Sequence, residues 1–211
     1  MTREPYANST IEAYLERLAS AEPEPGGGSV AALVGALAAA LVSMVTNLTL
    51  GKEKYALAHD AMAGLKVNAE FARTRLSELI TLDARAYGAV AQAMKLPQDS
   101  DEEKRSRTAA LEKALRGAAE VPLTVAEAAA EVARLTLPAA ELGNLNAVSD
   151  AAVAAVLADA AAQAAALNVK INLAWIDDKD YARDAWSRVE AVLSETAQLR
   201  DAVLSITYSK L

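Results

Sequence analysis

The sequence predicts an all-α protein: a single domain, residues 1–211, folded as a bundle of about seven helices. Apolar residues recur every three or four positions along most of the chain, and no segment alternates apolar and polar residues as a half-buried strand does. Proline and glycine separate these periodic segments. Two segments, 30–50 and 160–169, are alanine-rich and carry no charge, which is typical of long central helices that are buried on all sides.

The first predicted helix begins at a capping box formed by Ser9 and Glu12 and ends before Pro23. The second covers residues 30–50 and is stopped by Gly51. Segment 30–50 is long enough to span a membrane, but its small residues and its missing aromatic flanks favour burial in a protein core or at a subunit interface.

Between these helices lies a loop of prolines and glycines. The three glycines Gly26, Gly27 and Gly28 allow unusual backbone angles and a close approach of another group. Ser29 is predicted to be the N-cap of the second helix. Free N–H groups at such a helix start can bind an anion, although a plain tight turn before a buried helix explains the same residues.

The rest of the chain is predicted to be helical up to its end. Residues 53–95 form one long helix or two, and a capping box formed by Ser100 and Glu103 opens the next. Pro122 is predicted to start a further helix from its first turn, and Ser149 is predicted to cap another. The last helix follows a break at residues 177–178.

Composition limits the possible functions. The formal net charge of −7 argues against a nucleic-acid partner and against an anionic membrane surface. The chain has no cysteine, so disulfides and thiolate metal sites are excluded. Residues 1–9 lack a signal-peptide pattern, and we expect a cytoplasmic protein. Two uncharged helices present more apolar surface than one small bundle needs to bury, which favours a homodimer.

Few residues in the sequence offer chemistry. His59 is the only histidine and is interpreted as a surface residue, and no ligand set for a metal is present. Asp83 interrupts an apolar helical pattern. Asn144, Ser149 and Asp150 cluster at a helix start. Two more amides, Asn168 and Asn172, share one helix face. Each of these amides could bind a ligand or simply tie helices together.

Taken together, these motifs resemble the cyclodeaminase/cyclohydrolase family of folate enzymes. The resemblance covers nearly the whole chain, and the segments that carry it stand in the family's order: 25–32, 41–45, 51–55, 83–87, 93–97, 121–123, 143–144, 149–150 and 168–173.

The resemblance implies an all-helical dimer that binds a tetrahydrofolate derivative and needs no further cofactor. Family members hydrolyse 5,10-methenyltetrahydrofolate to the 10-formyl form, or close 5-formiminotetrahydrofolate to the methenyl form with loss of ammonia. The transferase domain of the bifunctional animal enzymes is missing here, so a stand-alone enzyme is implied. The first reaction is favoured; the second, and a folate-binding protein without turnover, stay open.

The implied catalytic residues are Asp83, placed first, and Asp150. A carboxylate beside the cationic substrate can position water and accept a proton. Asp83 could instead pair with Arg75 or Arg85. The glutamate tail is expected at the helix start 26–29, at Lys52 or at Lys95. The implied substrate-binding residues are Gly26, Gly27, Gly28, Ser29, Lys52, Tyr87, Lys95, Asn144, Ser149, Asn168 and Asn172.

Overall fold

The structure is a computed structural model that describes residues 6–211; residues 1–5, part of the stretch in which no signal peptide is predicted, lie outside it. The described residues form six α-helices, three short 3-10 helices and no strand. The α-helices are α1 (Ile11–Leu18), α2 (Gly27–Thr49), α3 (His59–Met94), α4 (Asp101–Leu142), α5 (Val148–Leu173) and α6 (Lys179–Lys210). The 3-10 segments are Tyr6–Asn8, Glu53–Ala58 and Leu145–Ala147.

The all-α prediction is confirmed, and the question left open for residues 53–95 is answered by a 3-10 segment followed by one long helix. The bundle has one helix fewer than the approximate seven because α4 continues through Pro122 and Pro138. The start predicted at Pro122 is therefore wrong. α4 is long enough for packing along its length to offset the missing N–H groups of its prolines.

Helices α2 and α5 form the centre of the bundle. They run antiparallel, because Gly27 lies beside Asn168, whereas Leu48 at the other end of α2 accepts a hydrogen bond from Asn144, just before α5. At its midpoint α2 approaches both neighbours closely at Gly35, which lies against Leu76 of α3 and Ala161 of α5. The buried side chains of α2 and α5 are mostly alanine, so short contacts between backbones replace large side chains.

One stripe on each central helix remains exposed, so the prediction that both segments are fully buried is only partly confirmed. On α2 the stripe includes Leu37 and Met44, and on α5 it includes Val153, Val156 and Leu167. Both helices are long and apolar enough to cross a membrane, but more than half of each apolar window, 61% and 56%, is buried inside the bundle. Central helices of a folded core pass the same test.

Two helix starts differ from the predictions. α1 is capped by Thr10 rather than Ser9, since the Thr10 side chain accepts from the Ala13 N–H at 3.1 Å. α2 begins three residues earlier than expected, with Gly26 as N-cap, because the glycines enter the helix instead of preceding it. Ser29 therefore lies within the first turn, and its predicted capping role is wrong.

Other predicted boundaries hold with one exception. Ser100 and Glu103 form the predicted capping box, and Gly51, with φ of 76°, follows the end of α2. Ser149 is not a cap, because α5 already starts at Val148, with Ala147 in the capping position. The side-chain hydrogen bond at this turn is made by Asn144 instead, whose Oδ1 accepts from the Asn146 N–H at 3.1 Å.

Candidate active site

A pocket of about 370 Å³ opens where the start of α2, the second half of α3, the middle of α4 and the end of α5 meet. Its floor is polar and its walls are apolar. The lining residues are Pro23, Glu24, Gly26, Gly27, Asp83, Ala84, Ala86, Tyr87, Val90, Met94, Leu115, Ala118, Asn168, Ile171, Asn172 and Trp175. On α3 and α5 they recur at helical spacing, so one face of each helix supplies a wall.

The Asp83 carboxylate lies against the first turn of α2 and accepts a hydrogen bond from the Ser29 N–H. Gly28 makes this approach possible: a Cβ there would lie 2.5 Å from Asp83 Cγ and 2.7 Å from Oδ2, which is an overlap. The anion at this helix start is thus a side chain of the chain itself. The predicted anion-binding physics is present, but the protein's own carboxylate uses it.

The protonation of Asp83 is set by two opposing effects. Burial raises the pKa of the Asp83 carboxyl above its ordinary value, and the hydrogen bond from the Ser29 N–H opposes this rise. The net direction is upward. Among the described residues no arginine contacts Asp83, and Arg75 pairs instead with Glu131 at 3.2 Å. The alternative in which Asp83 forms a structural ion pair with Arg75 or Arg85 is therefore wrong.

Behind Asp83 lies a pair of buried hydroxyls. Tyr14 Oη and Ser29 Oγ are 2.9 Å apart, and Tyr14 is the one buried residue of α1. Burial raises the pKa of the Tyr14 hydroxyl; the hydrogen bond with Ser29 lowers it and the nearby Asp83 charge raises it further. Tyr14 thereby fastens α1 to the turn that holds the carboxylate.

Asn168 and Asn172 form the other polar part of the floor. The Asn168 amide donates from Nδ2 to the Ala164 carbonyl at 2.8 Å. Asn172 Nδ2 donates to the Ala118 carbonyl of α4 at 2.8 Å and to the Asn168 carbonyl at 2.9 Å. Ala118 precedes Pro122 by four residues, so its carbonyl is the one that a proline leaves without a helical partner. Asn172 supplies the missing donor.

The charges around the pocket have one sign. Among the described residues that line it, two are acidic, Glu24 and Asp83, and none is lysine, arginine or histidine. Within residues 6–211, no group of three or more potential ligand side chains is arranged to hold a metal ion. The arrangement can bind a ligand that is cationic or rich in N–H donors, and it offers a carboxylate to accept a proton.

Comparison with known proteins identifies the family. The sequence pattern of the family described as formiminotransferase-cyclodeaminase matches residues 10–191, which is most of the chain. The chain belongs to the formiminotransferase-cyclodeaminase family.

Individual members of the formiminotransferase-cyclodeaminase family are similar over nearly the whole chain. Methenyltetrahydrofolate cyclohydrolase of Methylorubrum extorquens is 42% identical over 203 residues, which are 96% of this chain and 98% of that protein. The crystal structure of formiminotetrahydrofolate cyclodeaminase from Thermotoga maritima superposes with a TM-score of 0.86 at 31% identity, covering 96% and 97% of the two chains. Formimidoyltransferase-cyclodeaminase of Rattus norvegicus is 36% identical over 89% of this chain, which spans only 35% of that longer protein.

In this family member the structure brings most of the predicted site residues to one place. Asp83, Gly26, Gly27, Tyr87, Asn168 and Asn172 line the pocket. Gly28 and Ser29 are buried next to Asp83, and Lys95 follows the pocket residue Met94 at the end of α3.

Four predicted residues lie elsewhere within one chain: Lys52, Asn144, Ser149 and Asp150 are near the opposite end of α2. Twenty-three residues of α2 separate the two ends by about 33 Å. Asn144 is buried there and ties elements together: its Oδ1 accepts from Tyr55 Oη at 3.2 Å, and its backbone N–H donates to Thr49 Oγ1 at 2.8 Å. The predicted catalytic role of Asp150 stays a prediction.

Other residues at the site were not predicted. Ile171 and Trp175 line the pocket wall, and Tyr14 lies behind the floor, where it contacts Ser29. Trp175 could have been found, because 168, 171, 172 and 175 follow the spacing of a single helix face. No sequence signal linked Tyr14 to Ser29. His59, interpreted as a surface residue, lies outside the pocket with its Nε2 3.1 Å from the Lys52 carbonyl.

Proposed function

We propose that this chain is a methenyltetrahydrofolate cyclohydrolase, which converts 5,10-methenyltetrahydrofolate and water into 10-formyltetrahydrofolate and a proton. The observation that carries the proposal is the half-buried Asp83 carboxylate in a pocket whose described lining has no cationic side chain. A carboxylate that lacks an ionic partner suits a substrate that brings its own positive charge. The full-length similarity to a cyclohydrolase supports the same reaction.

Asp83 has two roles in the proposed mechanism. The methenyl carbon lies between two nitrogens that share a positive charge, so it is already electrophilic. Asp83 holds a water molecule at that carbon and accepts its proton as the new C–O bond forms. Asp83 then passes this proton to N5 as the bond from the carbon to N5 breaks. The hydroxyl on the carbon loses its own proton to solvent, which leaves the formyl group on N10 and releases one proton overall. The charge on Asp83 also stabilises the cation before attack.

Formiminotetrahydrofolate cyclodeaminase activity is the second candidate. The T. maritima structure that superposes with a TM-score of 0.86 carries this name. Ring closure of the formimino group expels ammonia, which must leave protonated, and it produces the same methenyl cation. A group that donates a proton is needed, and a carboxyl whose pKa is raised by burial fits that need.

Assaying both substrates with one preparation tests the proposal. 5,10-Methenyltetrahydrofolate absorbs in the near ultraviolet and the 10-formyl product does not, so hydrolysis lowers the absorbance and ring closure of the formimino substrate raises it. Loss of absorbance well above the uncatalysed rate supports the cyclohydrolase. Binding of 5-formyltetrahydrofolate without turnover of either substrate would identify a folate-binding protein, the third alternative.

The proposed enzyme is a cytoplasmic homodimer without a membrane or nucleic-acid partner. The exposed apolar stripes on α2 and α5 support the second copy. Leu37 on α2 is 50% exposed and Leu167 on α5 is 74% exposed. Burial of such side chains contributes about 25 cal/mol per Å², and two identical surfaces can cover each other around a two-fold axis.

A further inference from the structure

The two amides on the pocket floor have a fixed orientation. Both hydrogens that Asn172 Nδ2 can donate go to carbonyl oxygens, those of Ala118 and Asn168. Rotating the amide by half a turn would place its oxygen against both carbonyls, so the assignment of nitrogen and oxygen is determined by the partners. Asn168 Nδ2 likewise faces the Ala164 carbonyl. Each amide therefore presents its Oδ1 away from the helix carbonyls.

No hydrogen bond from any described residue reaches these two oxygens, although both side chains line the pocket. Asn168 Oδ1 lies close to Gly27, since a Cβ at Gly27 would be 3.4 Å from it. Together with the Asp83 carboxylate, the floor presents three acceptor groups. A ligand that fills the pocket must supply donors to them, because an acceptor that loses water without a partner weakens binding.

We propose that Asn168 and Asn172 bind the N–H edge of a reduced pterin ring through their Oδ1 atoms. This inference rests on the proposed function and names the part of the substrate that the floor recognises. A reduced pterin carries donors at its 2-amino group, at N3 and at N8, whereas the p-aminobenzoylglutamate half of a folate ends in carboxylates. The two amide oxygens attract the first half, and the Asp83 charge, which faces the cationic methenyl carbon in the proposed reaction, repels the carboxylates of the second.

The aromatic side chains of the pocket support this orientation of the ligand. Tyr87 and Trp175 line the pocket and are 51% and 68% exposed, so they belong to its rim rather than its floor. Aromatic rings at the rim can stack on the p-aminobenzoyl ring. In this orientation the glutamate lies outside the pocket, and not at the helix start 26–29 where the sequence led us to expect it. Asp83 already accepts from that helix start.

Calorimetry with three ligands tests the inference: 5-formyltetrahydrofolate, 6-methyltetrahydropterin and p-aminobenzoylglutamate. Asn168 is the residue to change, because its structural bond is made only within its own helix. In Asn168→Ala we expect affinity for the first two ligands to fall about three- to tenfold, the loss of one hydrogen bond. Affinity for p-aminobenzoylglutamate stays unchanged.

The matched control is Asn68→Ala, which removes an exposed amide from α3, fifteen residues and about 22 Å from Asp83 along that helix; all three affinities should stay at wild-type values. Melting curves verify that the variants fold. The inference is overturned if Asn168→Ala binds the pterin like wild type, or if wild type binds 5-formyltetrahydrofolate but not the pterin. Absence of all folate binding and turnover would instead contradict the proposed function, and with it this inference.

Discussion

Asp83 is the residue on which the proposed chemistry depends, and it combines partial burial with the lack of an ionic partner. Replacing Asp83 by asparagine keeps the shape of the side chain and removes the base. We expect turnover to fall by about a hundredfold or more, the usual loss for a general base. The melting temperature should stay or rise, because a buried charge is removed. Activity and melting are measured on one preparation. Early melting with retained activity per folded molecule would show a structural role instead.

The raised pKa of the Asp83 carboxyl also predicts how pH acts on stability. The folded state binds this proton more tightly than the unfolded state, so Asp83 makes folding less favourable at neutral pH and this cost disappears as pH falls. Asp83→Asn should therefore melt above wild type at neutral pH. The two melting temperatures should converge as pH falls towards about 4, the pKa of an unperturbed aspartate. A difference that is constant with pH would contradict this assignment.

The raised pKa of the Asp83 carboxyl also predicts how activity depends on pH. As a base, Asp83 must be ionised, so kcat/KM should rise with pH and level off above an inflection higher than an ordinary carboxyl gives. A bound cation favours the carboxylate, so the inflection in kcat should lie at lower pH than that in kcat/KM. Initial rates, corrected for uncatalysed hydrolysis, provide both curves. Identical inflections would indicate that the charge of the bound substrate does not change the pKa of Asp83.

Gly28 permits the contact between Asp83 and α2. In Gly28→Ala the new Cβ would overlap the carboxylate, so Asp83 must leave the Ser29 N–H, and we expect activity to fall about tenfold or more, the loss from misplacing a catalytic group. Gly64→Ala is the control, because a Cβ there meets nothing within 4 Å and should stabilise α3 by up to about 1 kcal/mol. Wild-type activity in Gly28→Ala would show that the contact is dispensable.

At the scale of the helix, Pro122 has an effect beyond its own position. Because Pro122 has no N–H, the Ala118 carbonyl is free to accept from Asn172 Nδ2. This bond helps to fix the orientation of the Asn172 amide. Pro122→Ala restores a helical N–H to Ala118. We expect unchanged or higher melting temperature and several-fold weaker binding of 5-formyltetrahydrofolate, because Asn172 then keeps only its bond to the Asn168 carbonyl and is held less firmly. Pro138→Ala, at the other proline inside α4, should leave the affinity unchanged. Equal effects of both variants would refute this coupling.

Helical periodicity was sufficient to predict the class of the fold and the placement of Asn168 and Asn172 on one face. It could not predict that α4 continues through Pro122, because the donor that replaces the missing N–H comes from a residue fifty positions further on. Local propensity favoured Ser29 as a cap, but the backbone of Gly26 starts the helix and the Ser29 hydroxyl contacts Tyr14. Tertiary contacts therefore determine both the continuation of α4 through Pro122 and the position of Ser29 inside α2.

The site itself was predicted in part for a similar reason. Asp83 and the glycine loop share the pocket because α2 and α3 are antiparallel neighbours. Asn144 belongs to the same family resemblance, yet it lies near the other end of α2. Sequence order does not reveal which end of a long helix a distant loop meets. That information arises only when the helices pack.

At the scale of the whole molecule, the exposed stripes on α2 and α5 predict the oligomeric state. Sedimentation at micromolar concentration should give the mass of two chains. A charge in the stripe, as in Leu37→Glu, should shift the protein towards monomer, because an unpaired buried charge costs several kcal/mol. Ile11→Glu adds the same charge on α1, where the side chain is 81% exposed, and should stay dimeric. A monomeric wild type would contradict the proposed dimer.

The described lining of the pocket contains acidic but no basic side chains, and this affects the end of the catalytic cycle. In the proposed reaction the substrate arrives with a positive charge and leaves without it, since the formyl nitrogen of the product is neutral. The ionic attraction between Asp83 and the substrate cation therefore ends with the chemical step, and the described lining contains no lysine or arginine that could hold the product by its carboxylates. The product keeps only the neutral contacts of its pterin ring, so it should bind more weakly than the substrate.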